Sequence, residues 1–109
     1  MSDLILTTHE DPDGMIITVA GELDFTSCHH LEIAACQAVL PDGALLRIDM
    51  SHVTCMDSSG LNLLLMLRRR LVDIGGRLLL ISVQGVPMQV LILTGAETLL
   101  LPADTPSRR

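Results

Sequence analysis

The sequence predicts one small α/β domain built on a mixed β-sheet. Two segments rich in strand-forming residues, 4–8 and 15–20, flank a turn at residues 11–14 and predict a hairpin. Beyond the hairpin, helical and strand patterns alternate, so the predicted order is β-β-α-β-α-β-α-(β). Such alternation implies parallel strands with right-handed crossovers, and the hairpin supplies one antiparallel edge. The 109 residues fit a single domain, which we assign to residues 1–101, followed by a flexible polar tail at 102–109.

The first half of the chain is divided by turn residues. Between the two hairpin strands, Pro12 presets φ and Gly14 accepts a positive φ. Residues 21–24 end the second strand, and Thr26 or Ser27 caps a helix that runs to about residue 40. The helix places small and apolar residues on one side: Leu31, Ala34, Ala35, Ala38 and Val39.

The second half begins with an apolar segment, residues 44–50, that is typical of a buried central strand. A short loop at 51–56 leads to a helix that starts at residues 57–59 and ends near Ile74, before a glycine pair. Residues 77–83 form another strand, and a third helix with Pro87 in its first turn spans 85–94. Residues 98–101 are predicted to be a short last strand or an extended segment.

Composition excludes several classes of function. The net charge of −6 argues against nucleic acid and anionic membranes as partners. Phe25 is the single aromatic residue, so base stacking has almost nothing to work with. The longest apolar run is five residues, 63–67, whereas a membrane-spanning helix needs about 20. The N-terminus lacks a signal-peptide pattern and the three cysteines are odd in number, which favours a reducing cytoplasm with free thiols.

The stretch from Asp49 to Leu61 is the most informative one, because it runs from a buried strand into a helix N-terminus. Ligands and partners of open α/β sheets meet the carboxyl ends of the strands. A helix N-terminus also stabilises an anion, so a serine among residues 57–59 is a good phosphate acceptor. The alternative is that residues 57–59 only cap the helix.

The string MDSSGL at 56–61, preceded by LLRIDMSHVTC, resembles the signature of the STAS domain of bacterial anti-sigma-factor antagonists. Three further segments agree in order and spacing: GELD at 21–24, GGRL at 75–78 and LTG at 93–95. The resemblance covers nearly the whole chain, from about residue 4 to residue 101.

The resemblance implies a partner-switching regulator, not an enzyme, with no cofactor. The unmodified form of such a protein binds an anti-sigma factor that is a serine kinase, and thereby releases the sigma factor. The kinase phosphorylates the serine that follows the motif's aspartate, here Ser58, and a PP2C-type phosphatase reverses this. Asp57, Ser59, Gly60 and Asp24 fall in the matched segments and are expected to contact the partner. The sequence departs from the family at His52, at Cys55 and at residues 25–30, which leaves partner choice open.

The predicted second helix supports a binding role independently. On a helical wheel, Asn62, Arg69 and Asp73 mark the solvent side, while Leu64, Leu67 and Leu71 face the sheet. Leu65 and Met66 flank the polar stripe, so the helix is more apolar than its core contacts require. We therefore add Asn62, Met66 and Arg69 to the expected partner surface. The alternative is that another element of the same domain covers these residues.

Other functions remain as alternatives. The same fold serves as a scaffold without a phospho-switch, or as the small cytoplasmic subunit of a membrane lipid transporter. An enzyme acting on phosphate esters or nucleotides through the Asp57 loop ranks lower. Zinc binding is disfavoured because no C-x-x-C pair exists, and a response-regulator site because the chain has no lysine. Ser58 lacks the G-x-S-x-G surroundings of a serine hydrolase.

Overall fold

A computed structural model describes residues 4–38 and 40–102. In chain order the elements are β1 (Ile5–Asp11), β2 (Gly14–Leu23), α1 (Cys28–Gln37), β3 (Leu45–Met56), α2 (Ser58–Asp73), β4 (Arg77–Ile81), α3 (Gly85–Thr94) and α4 (Glu97–Leu100). Val39, which we placed on the apolar side of the first helix, lies outside the described residues, as does the predicted tail from residue 103 onward.

The four strands form one sheet in the order β1-β2-β3-β4. β1 pairs antiparallel with β2, whereas β2–β3 and β3–β4 are parallel, so the predicted mixed sheet with an antiparallel edge is confirmed. The turn between β1 and β2 closes because the Asp11 carboxylate accepts the backbone N–H groups of Asp13 (3.0 Å) and Gly14 (2.8 Å). This Asx-type turn sets the register of the hairpin.

The core lies on one face of the sheet. The inward side chains of β2, β3 and β4 are buried with one apolar side of each helix: Met15, Ile17, Val19, Leu46, Ile48, Met50, Leu78 and Leu80 from the strands, and Leu31, Leu64, Leu67, Leu71, Leu91 and Leu100 from the helices. The alternate strand residues, such as Ile16, Arg47 and Leu79 in one row, are only half-buried. The helices cover this face of the sheet. The segments that follow β2 and β3 start at the carboxyl ends of these strands.

β3 is longer than predicted, because residues 51–56 continue the strand instead of forming a loop. They pair with the last residues of β2, up to Leu23 opposite Met56. Two register shifts precede that pair, between Thr18 and Ala20 and between Gly21 and Glu22. Each shift adds one residue to β3, so its buried residues lose the period of two that identifies a strand in a sequence.

Two helices also differ from the prediction. α1 ends at Gln37 instead of near residue 40, because Ala38 turns to an extended conformation. The last element is a short helix and not a strand, since Ala96 and Leu100, one turn apart, are both buried. The boundaries of α3 are as predicted, and it ends at Gly95 in the left-handed conformation (φ 78°).

Candidate functional site

The predicted acceptor lies where two neighbouring strands end. Leu23 at the end of β2 is opposite Met56 at the end of β3, so the segments after them start side by side. The first is the loop of residues 24–27, which we call the 24–27 loop, and the second is Asp57 with the first turn of α2. The backbone N–H of Asp57 donates to the carbonyl of Leu23 (3.3 Å) and joins the two segments. We call these two segments, with the strand ends that they follow, the junction.

Asp57 is the N-cap of α2 and holds this junction together. One carboxylate oxygen accepts the backbone N–H groups of Ser59 (2.9 Å) and Gly60 (3.1 Å). The other oxygen accepts the backbone N–H of Phe25 (3.2 Å) in the 24–27 loop. The capping interpretation of Asp57 is therefore confirmed, but the cap also connects two segments that are 32 residues apart.

Asp24 organises the 24–27 loop in the same manner. Its carboxylate accepts the backbone N–H groups of Thr26 (3.0 Å) and Ser27 (3.1 Å) and the hydroxyl of Thr26 (2.8 Å). The hydrogen bond from the Thr26 side chain holds the pKa of Asp24 below its usual value. Desolvation raises this pKa by a smaller amount, and the hydrogen bonds from Ser27 lower it further. Ser27 precedes α1, but its buried hydroxyl bonds back to the Glu22 carbonyl, so the predicted side-chain cap of α1 is absent at Ser27.

Gly60 allows the loop and the helix to lie close together. A Cβ atom at this position would overlap the carbonyl oxygen of Leu23, and it would lie 2.9 Å from Leu23 Cγ and 3.1 Å from Met56 Cγ. Gly60 is itself buried. It therefore shapes the predicted partner surface through packing, and a partner cannot reach it directly.

The other predicted contact residues differ in exposure. Ser58, the first residue of α2, is exposed, and so are Asn62 and Arg69 farther along the helix. Ser59 is half-buried. Met66 is half-buried as well and packs against the core, so less of it is available to a partner than the wheel suggested.

The junction carries negative charge. Glu22, Asp24 and Asp57 lie in or beside it, whereas the described arginines lie at residue 47 in the sheet, at 68–70 near the end of α2 and at residue 77. Burial raises the pKa of the Cys28 thiol at the start of α1, and the negative charge of Asp57 raises it further. A phosphate on Ser58 would lie at the N-terminus of α2, where the helix dipole favours an anion, but next to the Asp57 carboxylate, which repels it.

Sequence reasoning missed one residue of this site, Phe25. Its side chain is 77% exposed, and its backbone N–H is the group that reaches Asp57. The sequence does contain the signal, since Phe25 is the single aromatic residue of the chain and stands between polar turn residues.

Residues 4–38 and 40–102 contain neither a metal-ligating cluster nor a membrane-spanning helix. No group of three or more His, Cys, Asp or Glu side chains in this part of the chain is arranged to hold a metal ion. No helix there combines the length and the apolar content needed to cross a bilayer.

The sequence model of a family described as "Mlab, STAS domain" matches residues 6–102. A comparison with curated protein sequences gave no significant match.

Solved structures of anti-sigma-factor antagonists share the fold. The chain is 24% identical to an antagonist from Mycobacterium paratuberculosis over 93% of this chain and 87% of that one, with a TM-score of 0.73. It is 20% identical to SpoIIAA of Bacillus in its unphosphorylated form, over 89% of this chain and 86% of that one, with a TM-score of 0.71.

A transporter domain is also similar. The chain is 16% identical to the murine anion transporter Slc26a9 over 90% of this chain and 19% of the transporter, with a TM-score of 0.67. At such low identities these likenesses establish the fold alone.

Proposed function

We propose, because this chain belongs to the STAS-domain family, that it acts as an anti-sigma-factor antagonist in the bacterial cytoplasm. It is a regulator and not an enzyme. Its unphosphorylated form binds an anti-sigma factor that is a serine kinase, and the sigma factor is released. Phosphorylation of Ser58 by that kinase ends the binding, and a PP2C-type phosphatase restores it.

One observation carries this proposal. Ser58 is an exposed hydroxyl at the first position of α2, next to an aspartate whose two carboxylate oxygens accept three backbone N–H groups of the junction. The acceptor is therefore accessible at a hydrogen-bonded position, and the described residues include no metal-ligating cluster. Such a site is suited to receive a phosphate from another protein.

The phosphate is expected to act on binding and not on folding. It adds about −1.5 to −2 charges at neutral pH. The α2 dipole stabilises this charge and the neighbouring Asp57 opposes it, so the two effects largely offset each other. Against a docked partner, however, the dianion must lose its hydration. A hundredfold loss of affinity requires only about 2.7 kcal/mol, which one buried unpaired charge is able to supply.

The test combines phosphate transfer with binding. A purified anti-sigma-factor kinase from the same cytoplasm, captured by the wild-type protein, is incubated with ATP and with wild-type, Ser58→Ala or Ser59→Ala protein. Mass spectrometry should find phosphate on Ser58 in the wild type, none in Ser58→Ala and normal incorporation in Ser59→Ala. Phosphate found only on Ser59 would show that the acceptor is misassigned by one position.

A second variant tests the mode of the switch. Ser58→Asp should keep the circular dichroism and melting temperature of the wild type and should bind the kinase more weakly. Unfolding of Ser58→Asp would instead indicate a switch that works through stability.

The alternative function is a STAS module without a phospho-switch, either a scaffold or the small cytoplasmic subunit of a membrane lipid transporter. A domain of an anion transporter shares the fold, so the fold is compatible with such a role. The same kinase assay separates the two functions, since a transporter module should accept no phosphate at Ser58. Co-purification with a membrane protein, unchanged in Ser58→Ala, would then support the second function.

A further inference from the structure

We propose that Phe25 is the anchor by which this protein docks its kinase partner, inserting into an apolar recess of the kinase that is rimmed by basic side chains. This inference rests on the proposed function and adds the residue that provides most of the docking energy.

The first reason is the exposure of Phe25 beside the acceptor. Phe25 is 77% exposed, whereas the exposed residues beside it, Thr26, Asp57 and Ser58, are polar or acidic. An aromatic side chain that is exposed to water leaves a large apolar area unburied, and a partner that covers this area gains free energy of binding. Aromatic residues are enriched at the centres of protein interfaces. The Phe25 backbone N–H donates to Asp57, the residue before Ser58, so the loop that carries this exposed ring starts beside the acceptor's helix turn.

The second reason is that the anchor is held in place before binding. The Phe25 N–H donates to Asp57, and the next two N–H groups of the 24–27 loop donate to Asp24. The buried hydroxyl of Ser27 donates to the Glu22 carbonyl and ties the end of the loop to the end of β2. A loop fixed in this way loses little conformational entropy on docking, which increases the affinity that one exposed side chain provides.

The chemistry of the occupant follows from the charges around the ring. Asp24 precedes Phe25 in the chain, the Asp57 carboxylate accepts the Phe25 N–H, and the described arginines lie at residue 47, at 68–70 and at residue 77. A complementary surface therefore combines an apolar recess with Lys or Arg at its rim. A kinase that brings a nucleoside triphosphate to Ser58 needs basic groups near the same place, because they bind the triphosphate. We therefore propose the kinase as the partner that covers Phe25.

The experiment compares two exposed apolar side chains. Phe25→Ala removes the ring but keeps the backbone N–H that bonds to Asp57. Leu93→Ala is the matched control, because Leu93 is 85% exposed near the end of α3 and outside the junction. Calorimetry measures the affinity of wild-type and both variants for the purified kinase, and thermal melts check the fold. A third variant, Phe25→Leu, retains an apolar side chain.

We expect Phe25→Ala to weaken binding by about 30-fold or more, as truncation of an interface anchor does, and Leu93→Ala by less than about twofold. Phe25→Leu should fall between Phe25→Ala and the wild type. All three variants should melt within about 3 °C of the wild type.

The outcomes separate this inference from the proposed function. If the kinase phosphorylates Ser58 and binds Phe25→Ala as tightly as the wild type, Phe25 is not the anchor, while the proposed function stands. Equal losses in Phe25→Ala and Leu93→Ala would also overturn it, because the effect would not be specific to the junction. If no kinase binds the wild-type protein, both proposals fail together.

Discussion

Replacing Asp57 by alanine tests whether this residue holds the junction as the structure indicates. The substitution removes the acceptor for the Ser59 and Gly60 N–H groups, and loss of an N-cap costs about 1 kcal/mol. It also removes the acceptor for the Phe25 N–H, worth about another 1 kcal/mol. The expected decrease in unfolding free energy is therefore about 2 kcal/mol, or about 8 °C in melting temperature for a domain of this size.

Thermal melts and urea titrations of wild type, Asp57→Ala and Asp57→Asn measure this effect. Asparagine is an equally good N-cap, so Asp57→Asn should keep the two helix bonds and lose about half as much stability as alanine. A loss below about 0.5 kcal/mol in Asp57→Ala would mean that the junction is not held by this carboxylate. If asparagine were as damaging as alanine, the charge of Asp57 and not its hydrogen-bond geometry would be responsible.

Three further predictions follow from burial. Leu64→Asp places an unpaired charge in the core and should unfold the domain, whereas Met66→Asp, at a half-buried position, should cost about 1–2 kcal/mol in thermal melts. Equal unfolding of both would place Met66 in the core. Gly60→Ala should destabilise by about 1–3 kcal/mol in urea titrations, because the new methyl group overlaps Leu23; a gain in stability from helix propensity would contradict that packing. Cys28 should be alkylated by iodoacetamide more slowly than the two exposed cysteines when followed by mass spectrometry at pH 8–9, because its thiol is half-buried and its pKa is raised; a faster reaction would refute this.

The start of α2 was predictable from the sequence because capping is a local interaction. An aspartate side chain reaches the N–H groups two and three residues later, and Asp57 does so here. The same holds for the hairpin turn, where Asp11 reaches Asp13 and Gly14. In each case the signal and the structure lie within four residues, so no tertiary information was required.

The end of β3 and the hydrogen bond from Phe25 to Asp57 were not predictable because they depend on pairing between distant segments. Residues 51–56 carry no strand period, and they are extended because the end of β2 lies beside them. Similarly, nothing near Phe25 in the sequence indicates that its N–H bonds to Asp57. The short α4 is a further case, since four residues give too little pattern to separate a helix turn from a strand.

The apolar character of α2 now has a different explanation from the one that the sequence suggested. Leu61 and Leu63 are buried, and Leu65 and Met66 pack against the core from half-buried positions, so most of the apolar excess is packing. The exposed face that remains near Ser58 is polar, with Asn62 one turn along. A partner that docks there gains little apolar burial from α2 itself. If a partner docks here as we propose, its affinity is expected to come from the 24–27 loop beside the helix. A phosphate on Ser58 would fall within that contact, and we therefore expect one modification to end binding without disturbing the fold.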